Sequence, residues 1–198
     1  MDARDLFLAQ HSAVHSKAVA GNAGSAAERT FAGLTDDQMR VRPREDLNSI
    51  AWLMWHIARA EDLMLNPVLS GRDQVLDDAW LKRLGISRRD FGIGMSSPEV
   101  TDLTKQIDIG ALREYRDAVG LRTRDIITGF KDGDWGGNVE ASSLERGAAQ
   151  GGFGAGIVKA FTGRPRAAIL SGIALFHPSG HMGEAVTVRS AGGFGTGV

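Results

Sequence analysis

The sequence of 198 residues contains no cysteine. This absence excludes disulfide bonds, cysteine-ligated zinc and a cysteine nucleophile in one step. The sequence also lacks an apolar run near the roughly 18–20 residues that a membrane-spanning helix needs. Its acidic start has no apolar core of the kind found in secretory signal peptides. We therefore predict a cytoplasmic protein that does not enter a membrane.

Excess charge of one sign is absent as well, because 23 Lys and Arg nearly balance 24 Asp and Glu, for a net charge of -1. A chain without a basic surface is not expected to bind nucleic acid. Hydrophobic residues make up 42% of the chain, which is ordinary for a soluble globular protein with a sizeable core. We predict one domain over residues 1–190, followed by a flexible, Gly-rich tail over residues 191–198.

Strand signals are nearly absent, and apolar residues instead recur at helical spacing. Long helices are predicted over residues 2–32, 48–69, 111–129 and 166–189. The second of these, capped by Asp46 or Asn48, is apolar nearly all round in its first half, which is typical of a central bundle helix. Residues 70–110 form a long connection with short helices at 77–84 and 98–106. The predicted fold class is all-α, a four-helix bundle with a long crossover between helices 2 and 3.

A pair of histidines four residues apart, His177 and His181, lies on the last predicted helix, and Glu184 follows three residues later. Positions i, i+4 and i+7 share one helix face, so two imidazoles and a carboxylate would project the same way. Neutral imidazole is a common ligand for zinc, nickel, copper and iron. A third ligand must come from elsewhere, and His56 in the second helix is a candidate. Taken alone, a histidine on an apolar helix is more often a hydrogen-bonded core residue than a ligand.

A second pair, His11 and His15, has the same spacing on the first predicted helix. Its neighbours are partly polar, among them Gln10, Ser12 and Lys17, whereas His177 and His181 lie among small apolar residues. Spacing by itself is therefore weak evidence for a metal site. We predict that His11 and His15 are not ligands.

Two segments together resemble a known family. The stretch Asn-Ser-Ile-Ala-Trp-Leu-Met-Trp-His-Ile-Ala-Arg-Ala-Glu, residues 48–61, resembles the second helix of the DinB/YfiT-like metalloenzymes. Residues 175–189, with the pattern His-x-x-x-His-x-Gly-Glu, resemble their fourth helix. The resemblance extends loosely over the whole chain. It implies a four-helix bundle, a homodimer, and a divalent metal, zinc or nickel, bound by His56, His177 and His181.

The same resemblance implies an activity on small molecules. Several members of the family act as, or are proposed to be, thiol-dependent transferases or isomerases that use bacillithiol, mycothiol or glutathione. We therefore expect a metal-dependent enzyme that transfers a low-molecular-weight thiol to or through a small electrophilic substrate. The abundance of Arg, Ala and Gly is typical of a GC-rich genome and favours mycothiol. The alternatives are a hydrolase that uses the same ion to activate water, and a non-catalytic interaction or stress-related bundle.

Glu184 is the candidate catalytic residue in this interpretation. Its predicted role is to orient a ligand histidine or to act as a general base, and the alternative is a surface glutamate. Three arginines are candidates to hold a carboxylate of the thiol or the substrate, although each is read more simply as a solvated surface residue: Arg59, Arg122 and Arg189.

Pro178 is a departure from the family pattern, because it stands between the paired histidines. Proline removes the hydrogen bond to the Ala174 carbonyl and clashes with that turn. We expect the helix to kink here while His177 and His181 still converge. The alternative is a break in the helix that loses the site.

Overall fold

The computed structural model describes residues 2–21 and 24–196, and within them the one β contact is an isolated bridge between Asn138 and Pro165. The helices are α1 (Ala3–Ala13), α2 (Lys17–Ala20), α3 (Ala26–Phe31), α4 (Asp36–Arg40), α5 (Ile50–Leu63) with a π segment (Met64–Ser70), α6 (Asp78–Leu84), α7 (Ser97–Gln106), α8 (Ile109–Thr128), a 3-10 turn (Asp132–Trp135), α9 (Ala141–Ala149), α10 (Ala155–Phe161), α11 (Arg166–Ser171) with a π segment (Gly172–Phe176), and α12 (His177–Ala191). The predicted all-α class is confirmed.

Helix α5 lies at the centre of the bundle, and all 14 of its residues are buried. It packs against α8 and α12, and α1 packs against α8. The apolar character of α5 all round its first half predicts this position. The N-cap is Ser49, whose hydroxyl accepts a hydrogen bond from the Trp52 amide at 3.0 Å. The predicted caps, Asp46 and Asn48, are therefore wrong, because Ser49 is the residue whose side chain reaches the free amides of the first turn.

The predicted long crossover is confirmed between α5 and α8, where it carries α6 and α7. Side chains of α5 form hydrogen bonds to the backbone of the crossover and so attach the crossover to the bundle. Asp62 accepts hydrogen bonds from the amides of Val75 and Leu76, at 2.7 and 3.0 Å. Arg59 donates to the Arg89 carbonyl. Buried charged groups on the central helix thus fix the position of the non-helical parts of the crossover.

The single first helix predicted over residues 2–32 is wrong, because the chain there folds as α1, α2 and α3. Ser16 is extended before α2, and Gly21 ends α2 at a φ of 66°, in the left-handed region that favours glycine. Ser25 caps α3 and donates its hydroxyl to the His15 carbonyl at 2.7 Å. These groups satisfy the polar backbone that a helix break exposes. Residues 22–23 of the predicted helix lie outside the described residues.

The last long helix continues through Pro178. The turn before it widens into the π segment Gly172–Phe176, and the His177 amide donates to the Gly172 carbonyl. Pro67 lies inside the other π segment, Met64–Ser70. A widened turn changes which carbonyl each amide meets, so it accommodates a proline that a regular α-helix does not. Pro178 is buried, and α12 keeps its helical conformation to Ala191.

Replacing Pro178 with alanine should raise the free energy of unfolding by less than about 1 kcal/mol. Proline in a regular helix costs about 3 kcal/mol, but the π segment has already relaxed that clash here. Metal binding should persist, because the i, i+4 spacing aims both histidines the same way. The measurement is the melting temperature of both proteins with and without added zinc. A variant that melts higher without zinc yet gains nothing from zinc would contradict this expectation.

The predicted tail, residues 191–198, is described as far as Thr196. Phe194 packs against the main core, and Arg189 donates to the carbonyls of Phe194 and Gly195, each at 3.3 Å. Residues 197–198 lie outside the described part of the chain. In that described part, no helix combines the length and the apolar character needed to cross a membrane.

Candidate metal centre

The three histidines predicted as ligands lie together in the structure. One imidazole nitrogen from each of His56, His177 and His181 lies within 4.8 Å of the others. The Nε2 atoms of His56 and His177 are 3.0 Å apart. His56 reaches this point from the buried face of α5 that packs against α12, and the other two come from successive turns of α12. The packing of two helices thus unites residues that are more than 120 positions apart in the sequence.

Two of these rings are oriented through their other nitrogen. His56 Nδ1 donates to the Phe91 carbonyl, which leaves Nε2 as the nitrogen with a free lone pair. His181 Nδ1 donates to Glu184 Oε2 at 2.8 Å, and Asn48 Nδ2 donates to Glu184 Oε1 at 3.0 Å. Metal-binding histidines characteristically donate their second nitrogen to a carbonyl or a carboxylate in this way. The sequence-predicted partner, Glu184, therefore contacts His181 directly.

Burial keeps two of the three imidazoles, those of His56 and His177, neutral. Burial lowers the pKa of His56 to about 4, and repulsion from His181 adds to the effect. Burial also lowers the pKa of His177 to about 3, helped by its two histidine neighbours. The hydrogen bond from His181 lowers the pKa of Glu184, so that side chain is ionised at neutral pH. Neutral imidazole is the form that binds a metal ion, since the lone pair is then available.

The donor set fits a divalent transition metal. Two nitrogens bound to one zinc ion are about 3.3 Å apart at the tetrahedral angle and about 2.9 Å apart at a right angle, because each bond is about 2.0–2.1 Å long. The separation of 3.0 Å between His56 and His177 is compatible with such an ion. His177 Nδ1 is buried without a hydrogen-bond partner in the described part of the chain, so its ring is held by packing. Residues His56, His177 and His181 can therefore hold a divalent ion.

Sequence comparison now decides the family. The family model described as the DinB superfamily matches residues 22–164, which is more than two thirds of the chain. The chain belongs to the DinB superfamily. The matched segment contains His56 and ends before His177 and His181. No curated protein matches the sequence.

A solved structure supports the fold of this DinB-superfamily protein. The crystal structure of a conserved protein from Enterococcus faecalis is similar over 96% of this chain and 97% of that chain. The TM-score is 0.67 and the sequence identity is 19%. At this identity the likeness concerns the fold alone.

The DinB-superfamily protein holds a second cluster, which the sequence interpretation missed. His11, His15 and Glu61 are buried together, with 0%, 1% and 3% exposure. Each histidine places Nε2 at 3.0 Å from a different oxygen of Glu61. Thr123 donates its hydroxyl to the same carboxylate at 2.6 Å. A signal for this cluster was present in the sequence, since a glutamate inside an apolar helix must find buried partners.

The second cluster is also able to hold a metal by composition, but its contacts differ from those of the first. Neither His11 nor His15 has a hydrogen-bond partner for Nδ1 among the described residues. A Cβ at Gly120 would lie 2.5 Å from His15 Nδ1, so the backbone of α8 packs directly against that nitrogen and leaves no room for a further ligand there. With both Nε2 hydrogens donated to Glu61, the carboxylate is satisfied without an ion. The geometry therefore favours a hydrogen-bonded triad that joins α1, α5 and α8.

The buried triad should make stability depend on pH. Burial lowers the pKa of His15 to about 4, against about 6.5 in the unfolded chain. Between these values the unfolded state binds the additional proton, so the free energy of unfolding falls as pH falls from about 6.5 to about 4. The contribution is about 1.4 kcal/mol per pH unit.

Urea unfolding of metal-free protein across this pH range tests the contribution, with a His15→Gln variant as the comparison. The variant retains an amide donor for Glu61 but has no titrating ring, so its stability should depend less steeply on pH. His56 and His177 contribute equally to both proteins, so the difference in slope isolates His15. Equal slopes would show that His15 is not the neutral group inferred here.

The three candidate arginines do not share one role. Arg59 is 0% exposed and pairs with Asp62 at 2.9 Å, and buried Arg189 donates to backbone carbonyls, including that of Thr30 at 2.7 Å. The interpretation of these two as solvated surface residues is therefore wrong. Arg59 donates to three side chains and one backbone carbonyl, and Arg189 donates to backbone carbonyls. Arg122 is partly exposed on α8.

Proposed function

We propose that this protein is a divalent-metal-dependent enzyme that transfers a low-molecular-weight thiol to or through a small electrophilic substrate. The observation that carries the proposal is the convergence of three imidazoles, from His56, His177 and His181, on one point. Three protein ligands leave a coordination position for a further molecule. A divalent ion held there would supply Lewis acidity that lowers the pKa of a thiol. Since the chain has no cysteine, the thiol must come from outside.

The surroundings of the histidines support access from one side. Trp52 stacks on His56 with ring centroids 4.7 Å apart and planes inclined by 9°. Phe91 lies on the same ring with a centroid separation of 6.1 Å. The side chains of His181 and Glu184 retain 24% and 31% exposure. A small molecule would therefore approach along the α12 side, while the aromatic rings exclude water from the α5 side.

Glu184 is assigned a positioning role in this proposal. Both of its oxygens already accept hydrogen bonds, one from His181 and one from Asn48. A carboxylate held at both ends is better placed to fix a ring than to accept a proton from a substrate.

Thiol consumption is the decisive assay for the proposed reaction. Purified protein loaded with zinc or nickel should accelerate the loss of mycothiol, bacillithiol or glutathione in the presence of an aryl halide. His181→Ala should lose the acceleration, and Glu184→Gln should retain part of it, because the amide oxygen can still accept the hydrogen bond from His181 Nδ1. Ester hydrolysis with no loss of any thiol would contradict thiol transfer and favour a metal-dependent hydrolase.

A further inference from the structure

A cavity of about 500 Å³ lies on another part of the molecule, and it does not contain the three histidines of the candidate metal centre. It is formed between the short helices α2 and α3 and the long helix α8. Its volume is within the range of about 300–1,000 Å³ that is usual for small-molecule sites.

The cavity contains a buried cation that forms no salt bridge with a described residue. Arg116 lines it and is 3% exposed. Within residues 2–21 and 24–196, its contacts are one hydrogen bond from Nη2 to the Val14 carbonyl and the face of the Phe31 ring, 5.1 Å from the guanidinium carbon. It forms no salt bridge with a described carboxylate. A guanidinium has five donor hydrogens in a planar fork, so most of its donor capacity is unused by the described residues.

A buried charge without a partner is costly, which makes this arginine unusual in the structure. Arg59 is paired with Asp62 and donates to three further groups. Buried Arg189 has no salt bridge with a described carboxylate, but it donates to five backbone carbonyls, whereas Arg116 donates to one. Burial lowers the pKa of Arg116, with only partial compensation from Glu61 and the acids at the cavity. Charged groups are rarely this buried without a partner, and an anion in the cavity would provide one.

The rest of the polar lining contains both cationic and acidic side chains. Lys17 and Arg113 add positive charge, and neither forms a salt bridge with a described carboxylate. The Arg113 guanidinium donates to backbone carbonyls and to Met39. Two acids also line the cavity, Glu28 and Asp117, and they accept hydrogen bonds from the Lys17 amide and the Ser16 hydroxyl. The cations thus outnumber the acids by three to two, and Arg116 is the most buried cation among them.

The apolar part of the lining comes from Phe31, Leu34 and Met54, all of them buried core residues. An inorganic anion would leave this surface without a partner. A ligand with both an anionic group and a hydrocarbon body would contact both kinds of surface. Arginine is well suited to a planar carboxylate, because its fork donates two parallel hydrogen bonds.

We infer that this cavity binds a small organic carboxylate, whose anionic group pairs with Arg116 and whose apolar body lies against Phe31, Leu34 and Met54. The inference goes beyond the proposed function, since it concerns a site separate from the three histidines. It assigns to the protein a second ligand, distinct from the thiol and the electrophile.

Calorimetric titration with octanoate, octanol and inorganic phosphate tests the site on the full chain. Octanoate should bind with a stoichiometry of one, and octanol should bind at least about tenfold more weakly, because it lacks the charge-assisted contact. Arg116→Met should weaken octanoate binding on the order of tenfold to a hundredfold. His181→Ala should leave octanoate binding unchanged.

A second variant tests the same site independently if Arg116→Met fails to fold. Ala18 is exposed and lines the cavity, so Ala18→Phe should block the cavity without entering the core. Ala160→Phe is the matched control, because Ala160 is exposed on α10, away from the cavity. Octanoate binding should be lost in the first and retained in the second. Equal binding of octanoate and octanol, binding of phosphate in place of octanoate, no octanoate binding, or full binding by Ala18→Phe would each overturn the inference.

Discussion

Replacing His181 with alanine should lower the affinity for zinc or nickel on the order of a hundredfold or more. Residues that merely orient a ligand change affinity by about 10–100-fold, and loss of a ligand should have at least that effect. His181 also contacts Glu184, so the variant removes both an imidazole and the group that holds the carboxylate. Metal content by elemental analysis, followed by competition with a chromophoric chelator, measures the change.

His15→Gln is the matched control for this experiment. It changes a histidine of the second cluster but retains a donor for Glu61, so the metal affinity should stay within a factor of a few. Wild-type protein purified without chelator should carry about one ion per chain. If His15→Gln empties the protein of metal and His181→Ala does not, the ion belongs to the cluster of His11, His15 and Glu61.

Replacing Asp62 with alanine should lower the free energy of unfolding by about 3–5 kcal/mol, because it leaves a buried charge without its partner. Asp62 is wholly buried, and its carboxylate accepts from Arg59, Asn66 and Tyr115 as well as from two amides of the crossover. The variant therefore leaves the buried Arg59 guanidinium without its carboxylate partner and removes the hydrogen bonds that hold the crossover backbone.

Asp125→Ala provides the comparison, since Asp125 pairs with Arg72 on the surface, where the side chains are 67% and 47% exposed. Exposed pairs contribute about 0–1 kcal/mol, because water and salt screen them. Urea unfolding of both variants gives the two free energies. If Asp62→Ala does not fold, Asp62→Asn should still lie well below Asp125→Ala in stability. Similar losses for the two sites would show that the buried network does not stabilise the fold as inferred.

Several features of this DinB-superfamily protein are predictable from the sequence because they depend on neighbours along the chain. Apolar periodicity locates α5 and α8, and α5 is predicted as the central helix from its apolar first half. The i, i+4 spacing places His177 and His181 on one face of α12. Resemblance to the family adds His56, from a helix that spacing alone cannot connect to α12. The ligand role of the three histidines and the homodimer stay predictions.

The sequence did not predict the break between α1 and α3. Helical periodicity tolerates Ser16, Gly21 and Ser25, since each is only weakly unfavourable inside a helix. The break depends on partners far away in the sequence, such as Asp117, which accepts a hydrogen bond from the Ser16 hydroxyl across 101 positions. Such a contact is invisible to a pattern that extends over a few turns.

The sequence by itself determined the long helices α5, α8 and α12 and the apolar character of α5, because backbone hydrogen bonding and side-chain spacing are local. Only the tertiary structure decided which polar residues those faces enclose. His11 and His15 look half-polar in sequence, yet Glu61 lies about 50 positions away and accepts from both. Arg59 and Arg189 look like surface charges in sequence, yet Arg59 is paired with Asp62 inside the core and Arg189 is buried against backbone carbonyls. The burial of a charge depends on how helices distant in sequence meet, and that arrangement is set by the packing of the whole bundle.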